Sequence, residues 1–178
     1  QTTFAELTEL VSRLAGALQT LGVRRGDAVA VYLPMSTEAV AAMLATARLG
    51  AIFIPVFSGH GAEAVANRLD DPAPKVLVCA NGFERRGRLV TMKETADDAV
   101  AMARSGAALL VLDYADRTDT PWTEGRDHWW HDLVPASEPL PPAGTWSEDP
   151  VMIAYTSGTT GKPKGSVHVQ AGLTVKLA

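Results

Sequence analysis

The sequence predicts an α/β fold in which a parallel β-sheet is flanked by helices on both faces. Over residues 1–112, short apolar runs rich in Val, Ile and Leu alternate with amphipathic stretches of helical length. Strands that are buried on both faces appear as continuous apolar runs, and parallel strands need crossover helices between them. The chain has 178 residues, a length that fits one domain or one large lobe of a longer protein.

Each predicted element has a local signal for its start or its end. Thr3 followed by Glu6 is a capping-box pattern for the first helix, and Gly22 ends that helix. Ser36 or Thr37 begins the second helix and Gly50 ends it. The predicted order is a helix over 4–21, the strand AVAVYLP, the helix STEAVAAMLATARLG, the strand AIFIPVF, the helix GAEAVANRLDD, the strand KVLVCA, the helix KETADDAVAMARSG and the strand AALLVLD.

Residues 113–150 differ in composition from the rest of the chain. They hold all four tryptophans and a concentration of prolines, which predicts a surface connection with one short helix near EGRDHWWHDLV. The strand signal then returns in VMIAYT and again in SVHVQ. The expected organisation is a parallel-sheet subdomain over 1–112, a Pro/Trp-rich connection over 113–150 and a strand–loop–strand unit over 151–178.

Charge and cysteine content limit the expected partners and compartment. Lys and Arg number 16 and Asp and Glu 20, and the net charge of −4 is unfavourable for general nucleic-acid binding. The N-terminal segment has the features of neither a signal peptide nor a membrane span. Cys79 is the only cysteine, so a disulfide within the chain is impossible. We therefore expect a cytoplasmic protein with no nucleic-acid or membrane partner.

The motif YTSGTTGKPKG spans Tyr155–Gly165 and directly follows an apolar strand. Its glycines allow the backbone to approach a ligand closely, and its hydroxyls and lysines add donors and positive charge, a combination that suits a polyphosphate. The motif is not a Walker A loop, because Thr156 stands where the first glycine belongs and Pro163 where Ser or Thr belongs. We therefore predict a phosphate-binding loop between two strands. A polar surface turn without a ligand is the alternative.

The same motif resembles the phosphate-loop signature of the AMP-forming acyl-CoA synthetases, in the adenylate-forming superfamily. The stretch LGVRRGDAVAVYLPMSTEAVAAMLATARLGAIFIPVFSG is also similar to the N-terminal region of the acetyl-CoA and propionyl-CoA synthetases. The resemblance implies that a short-chain carboxylate and ATP form an acyl-adenylate, from which coenzyme A displaces AMP. ATP, Mg²⁺ and coenzyme A are therefore the implied substrates and cofactors.

The resemblance implies that the loop holds the β- and γ-phosphates of ATP. Lys162 and Lys164 would neutralise charge on the leaving pyrophosphate, and Thr156 would also contact Mg²⁺. The implied phosphate-binding residues are Thr156, Ser157, Gly158, Thr159, Thr160, Gly161, Lys162 and Lys164.

An arginine cluster in NGFERRGRLV marks a second implied site. Guanidinium groups are planar and permanently charged, and therefore suit phosphate. Arg85 and Arg88 match an Arg-x-x-Arg pair that, in acetyl-CoA synthetases, contacts the 3′-phosphate ADP part of coenzyme A. Arg86 is an extra arginine in this sequence. A solvated loop after a strand end is the alternative.

Two functions from other classes stay open at this point. One is a phosphate-binding module without catalysis. The other is a dinucleotide-dependent oxidoreductase, because GHGAEA matches G-x-G-x-x-A and Glu84 follows about twenty residues on. That match lies at the second strand-to-helix turn and not at the first, which counts against it.

Members of the resembled family continue well beyond the region that matches this sequence. The acyl pocket, the adenine- and ribose-binding segments and a C-terminal lid domain with its catalytic lysine belong to that later region. We therefore expect no catalytic residue within residues 1–178, and no activity from them alone. The rest of the same polypeptide, including the lid, is the expected partner.

Overall fold

The computed structural model describes residues 1–103, 105–156 and 163–177. Its helices and strands follow in the alternation that the sequence predicts. In chain order they are α1 (Phe4–Thr20), β1 (Ala28–Tyr32), α2 (Thr37–Arg48), β2 (Ile52–Pro55), α3 (Ala62–Asp70), β3 (Val76–Ala80), β4 (Phe83–Arg85), β5 (Arg88–Val90), α4 (Met92–Met102), β6 (Ala108–Leu112), β7 (Asp127–Trp129), α5 (Trp130–Ala136), β8 (Pro150–Thr156), β9 (Lys164–Val169) and α6 (Gln170–Leu177).

A seven-stranded sheet organises the described residues, in the order β7-β6-β3-β1-β2-β8-β9. All neighbouring strands in it are parallel except β8 and β9, which are antiparallel. Every residue of β1 and β3 is buried, so both faces of the sheet are covered there. Helix α1 packs on α2 and α5, and α3 packs on α4. The predicted fold class, a mainly parallel sheet flanked by helices, is confirmed.

Local sequence signals begin and end the first two helices as predicted. The Thr3 hydroxyl accepts a hydrogen bond from the Glu6 backbone N–H, and the Glu6 carboxylate accepts one from the Thr3 backbone N–H. The Ser36 hydroxyl caps α2 by accepting a hydrogen bond from the Ala39 backbone N–H. Gly22 and Gly50 have φ of +90° and +66°, a left-handed conformation that glycine adopts without strain after a helix.

Four elements, the strands β4, β5 and β7 and the helix α6, were not predicted from the sequence. Residues 127–129, placed near a predicted helix, form strand β7, and the helix begins only at Trp130. Strands β4 and β5 form a separate hairpin, and α6 follows β9. The three strands have three residues each, too few to show a periodicity, and β7 also depends on contacts with distant residues.

A buried ion-pair network explains why β7 joins the sheet. The Lys93 ammonium on α4 is fully buried and lies 2.6 Å from Asp97 and 2.9 Å from Asp127 at the start of β7. Arg126 lies 2.6 Å from the other oxygen of Asp127. Buried charges need such partners, so this network fixes β7 beside β6 and under α4.

Cys79 is a fully buried core residue of β3, as predicted. Burial raises the pKa of its thiol to about 12. Among the described helices, none combines the length and the hydropathy required to cross a membrane.

Candidate functional site

The predicted phosphate loop connects two antiparallel strands at one side of the sheet. Strand β8 ends at Thr156, β9 begins at Lys164, and these two residues are paired across the ladder with exposed side chains. Strands therefore lie on both sides of the motif, and the phosphate-binding loop between them stays a prediction. Ser157, Gly158, Thr159, Thr160, Gly161 and Lys162 lie outside the described residues.

Tyr155 comes directly before the loop and is held by helix α3. Its hydroxyl donates a hydrogen bond of 2.8 Å to Oδ2 of Asp71, and Cζ of Arg68 lies 5.7 Å from the centre of its ring. Burial, together with the hydrogen bond to Asp71, raises the pKa of Tyr155 well above its usual value. The phenol therefore remains protonated and donates at neutral pH.

Gly165 lies opposite Tyr155 and has a packing role that its place in a glycine-rich motif conceals. A Cβ atom there would lie 2.9 Å from Cγ2 of Ile153 and 3.5 Å from the ring of Tyr155. The first distance is shorter than van der Waals contact allows. This glycine therefore makes room for the side chains of β8, whatever the loop itself binds.

A cavity of about 390 Å³ opens beside Tyr155, at the carboxyl ends of three parallel strands. Ligands of open α/β sheets bind outside this edge. Its wall is mainly apolar, with Ser58, His60 and Arg68 as polar members. Burial, and then the charge of Arg68, lower the pKa of His60. The lining residues are Val31, Leu33, Met35, Ala39, Phe53, Pro55, Val56, Phe57, Ser58, His60, Arg68, Ala154 and Tyr155.

The arginine cluster forms the tip of the β4–β5 hairpin. Arg85 and Arg88 are directly opposite each other, and Arg86 and Gly87 between them have φ of 53° and 72°. Two positive φ angles are what a two-residue type I′ turn requires. The three arginines are exposed, and in the described part of the chain none of them forms an ion pair. Like charges opposite each other repel, so the tip favours an anion.

Asn81, directly after β3, ties the end of that strand to the segment that follows β6. Its fully buried amide oxygen accepts hydrogen bonds from the backbone N–H groups of Tyr114 and Ala115, at 2.9 and 3.0 Å. Its amide nitrogen donates to Asp113 at 2.7 Å, and its carbonyl accepts from Arg117. Sequence reasoning missed Asn81, although a polar residue directly after a buried strand was an available signal.

The hairpin and the end of β8, which precedes the loop, lie at the same edge of the sheet. The hairpin follows β3 and the loop follows β8, and these parallel strands are three positions apart in the sheet. With strand spacings of about 4.8 Å, the two strand ends are roughly 14 Å apart. The fold therefore brings both sequence-predicted sites to one edge, next to the cavity.

Metal-binding groups are sparse in the described residues, where no cluster of three or more His, Cys, Asp or Glu side chains could hold an ion. Thr156 offers one exposed hydroxyl at the loop entrance. Mg²⁺ commonly takes one or two protein ligands and completes its shell with waters and substrate phosphates. Thr156 fits an ion that arrives with a nucleotide, and does not fit an independent metal site.

The glycine match GHGAEA begins between β2 and α3 and runs into the first turn of α3, with Gly61 as the N-cap. This is the second strand-to-helix turn of the sheet, as the sequence indicated. The place of this glycine match in the sheet therefore does not support the alternative of a dinucleotide-dependent oxidoreductase.

Comparisons with known proteins agree with one another over the whole chain. The model of the AMP-binding enzyme family matches residues 1–178. The acetyl-coenzyme A synthetase of Streptomyces avermitilis is 47% identical over 172 residues, which are 96% of this chain and 26% of that protein. The acetyl-coenzyme A synthetase of Pasteurella multocida is 44% identical with the same coverage.

A solved structure gives the same result for the fold. The acetoacetyl-CoA synthetase from Streptomyces lividans matches with a TM-score of 0.88 and 30% identity, over 98% of this chain and 26% of that one. The chain thus spans about a quarter of the length of the relatives it matches.

Proposed function

Because the chain belongs to the AMP-binding enzyme family, we propose that it forms part of an AMP-forming acyl-CoA synthetase that acts on a short-chain carboxylate. A carboxylate oxygen attacks the α-phosphorus of ATP, the bond to the β-phosphate breaks, and pyrophosphate leaves. The sulfur of coenzyme A then attacks the acyl carbon and displaces AMP, and the thiol proton is released. The names of the similar acetyl- and acetoacetyl-CoA synthetases support a short acyl group.

The observation that carries this proposal is the position of the motif at the open end of the β8–β9 ladder. Thr156 and Lys164 face each other there, at the carboxyl edge of the parallel strands. An anion attacking a polyanion needs positive charge and aligned donors close to the phosphates. A hydroxyl and an ammonium group on opposite sides of the loop entrance supply both.

We assign the individual phosphate contacts on the same basis. Lys162 and Lys164 would neutralise the leaving pyrophosphate, while backbone N–H groups and hydroxyls of the loop would bind the β- and γ-phosphates. When Mg²⁺ is bound with ATP it screens phosphate charge, and the Thr156 hydroxyl would be its ligand from this chain. The remaining proposed contacts are Ser157, Gly158, Thr159, Thr160 and Gly161.

We propose that Arg85 and Arg88 bind the 3′-phosphate ADP part of coenzyme A. Their exposure, their opposed positions and their lack of ion-pair partners among the described residues support this role. A phosphate between two guanidinium groups would replace their repulsion with charge-assisted hydrogen bonds. The hairpin lies at the same sheet edge as the loop, so a long ligand bound at its tip can extend towards the adenylate.

The remaining expectations stay predictions. A cytoplasmic location and the absence of nucleic-acid and membrane partners rest on composition and charge. We expect residues 1–178 alone to form no acyl-adenylate, because the lid domain and the adenosine-binding segments belong to the later part of the resembled family. The rest of the polypeptide is therefore the proposed partner.

ATP–pyrophosphate exchange by the full-length protein, without coenzyme A, tests the proposed function. The acids to compare are acetate, propionate, butyrate, acetoacetate and one long-chain acid. We expect exchange with at least one short acid, which would also identify the acyl group. A folded protein that exchanges with none of them, or only with the long-chain acid, would contradict the proposal.

A further inference from the structure

Tyr155 joins three separate parts of the chain immediately before the proposed phosphate loop. Its hydroxyl donates to Asp71, directly after the end of α3, and its ring packs beside the guanidinium of Arg68 within α3. Across the ladder, its ring lies against the small residue Gly165 in β9. The side chain therefore connects both strands of the loop to one helix.

Helix α3 is a firm support for this side chain. Arg68 is only 8% exposed, and its Nη1 donates a hydrogen bond of 2.5 Å to the carbonyl of Ala64. The guanidinium is thereby held against its own helix, where it meets the face of the Tyr155 ring. A cation over an aromatic face is attractive, and a partly buried site strengthens that attraction.

We propose that Asp71 and Arg68 are positioning residues for the adenylation step, acting through Tyr155; this inference rests on the proposed function. Thr156 follows Tyr155 in β8, and Lys164 precedes Gly165 in β9. A shift of the Tyr155 ring would therefore move both ends of the loop. Phosphate contacts are sensitive to such shifts, since a displacement of about 1 Å can cost as much as a hundredfold in rate.

The test compares Tyr155→Phe, Asp71→Ala and Asp71→Asn in the full-length protein. Tyr155→Phe removes only the hydroxyl, and Asp71→Ala removes only its acceptor. Asp71→Asn is the conservative variant, because its amide oxygen can still accept the hydrogen bond. Ser137→Ala is the matched control, because the Ser137 hydroxyl also donates a hydrogen bond, of 2.7 Å to the carbonyl of Leu133 in α5, a helix that packs on α1, β6 and β7.

For Tyr155→Phe and Asp71→Ala, we expect KM for ATP in pyrophosphate exchange to rise about fivefold to tenfold. KM for the carboxylate should stay within about twofold of the wild-type value. A general loss of protein stability would not change KM for one substrate and leave KM for the other unchanged, so this difference identifies an effect at the ATP site. Asp71→Asn should recover most of the loss, and Ser137→Ala should leave KM for ATP unchanged. The double variant should be no worse than either single variant, as expected for two halves of one contact.

Unchanged KM for ATP in both Tyr155→Phe and Asp71→Ala would overturn the inference, as would equal losses for ATP and carboxylate. Calorimetric binding of Mg–ATP separates this failure from failure of the proposed function. A wild-type protein that binds Mg–ATP without exchange would contradict the function, while weaker binding by the two variants would still support the positioning role. A wild-type protein that shows neither binding nor exchange would overturn both.

Discussion

Lys93 and Asp127 form an ion pair of 2.9 Å in which both side chains are fully buried. The pair joins α4 to the short strand β7, and Asp97 and Arg126 complete the network around it. Removing one partner of a buried pair leaves the other charge desolvated without compensation. The pair therefore makes β7 dependent on a helix that precedes it by about 30 residues in the sequence.

The first prediction concerns stability and replaces Lys93 with Met. We expect Lys93→Met to lower the free energy of unfolding by about 3 kcal/mol, because Asp127 loses one cation although Arg126 remains. Urea denaturation measures this change, and Lys75→Met is the control, since Lys75 is exposed. A Lys93→Met protein as stable as the wild type would show that β7 does not need the pair.

The second prediction is the pH dependence of the same network. Burial acts to raise the pKa of Asp127, but hydrogen bonds from Arg126 and Lys93 outweigh it, so the pKa is lowered on folding. A carboxyl group with a lowered pKa stabilises the fold above its unfolded pKa, about 3.9, and loses this contribution as the pH falls.

Urea denaturation of the wild type and of Asp127→Asn at a series of pH values tests that sign. The difference in unfolding free energy should be constant from about pH 7 to pH 5 and should shrink as the pH falls below about 4. A difference that grows towards acid pH would contradict the lowered pKa. Comparison with the variant cancels the contribution of other carboxyl groups, such as Glu94, whose pKa is lowered chiefly by its hydrogen bond with Arg117.

The extent to which the sequence predicted this fold depends on element length. The apolar runs of β1, β3 and β6 and the helical patterns between the strands are long enough to show their periodicity, so they were predicted. Strand β7 has three residues and no periodicity, and only the distant Lys93 explains it. The β4–β5 turn was hidden too, because Arg86 adopts a positive φ that is uncommon for arginine.

The candidate site also has one part that the sequence predicted and another that it did not. The motif predicted a loop between two strands, because its glycine, hydroxyl and lysine residues are close together in the sequence and can be recognised there. The support of that loop was not predictable, since Asp71 lies 84 residues before Tyr155 and stands in an ordinary helix end. The motif's glycines, Gly165 among them, are expected from the sequence to let the backbone approach a ligand, whereas the neighbours of Gly165 in β8 require the absence of a side chain.

The third prediction follows from that observation and replaces Gly165 with Ala. A Cβ atom 2.9 Å from Ile153 forces the strands apart or displaces the methyl group. We expect a loss of about 1–3 kcal/mol in unfolding free energy, as for overpacked sites, together with slower ATP–pyrophosphate exchange. Gly172→Ala is the control, because the nearest atom to its Cβ would be 3.9 Å away in Val169. Equal behaviour of the two variants would exclude a packing role for Gly165.

The fourth prediction tests the arginine hairpin with Arg85→Gln and Arg88→Gln, singly and together. Each change should raise KM for coenzyme A about tenfold, since each removes a charge-assisted hydrogen bond to phosphate. ATP–pyrophosphate exchange without coenzyme A should stay unchanged, because β3, which precedes the hairpin, and β8, which precedes the loop, are three positions apart in the sheet. KM for coenzyme A should also rise with salt in the wild type, and less steeply in the double variant.

Arg86→Gln is the control within the turn, and we expect it to have the smallest effect. A KM for coenzyme A that is unchanged in the double variant would leave the tip as a solvated turn.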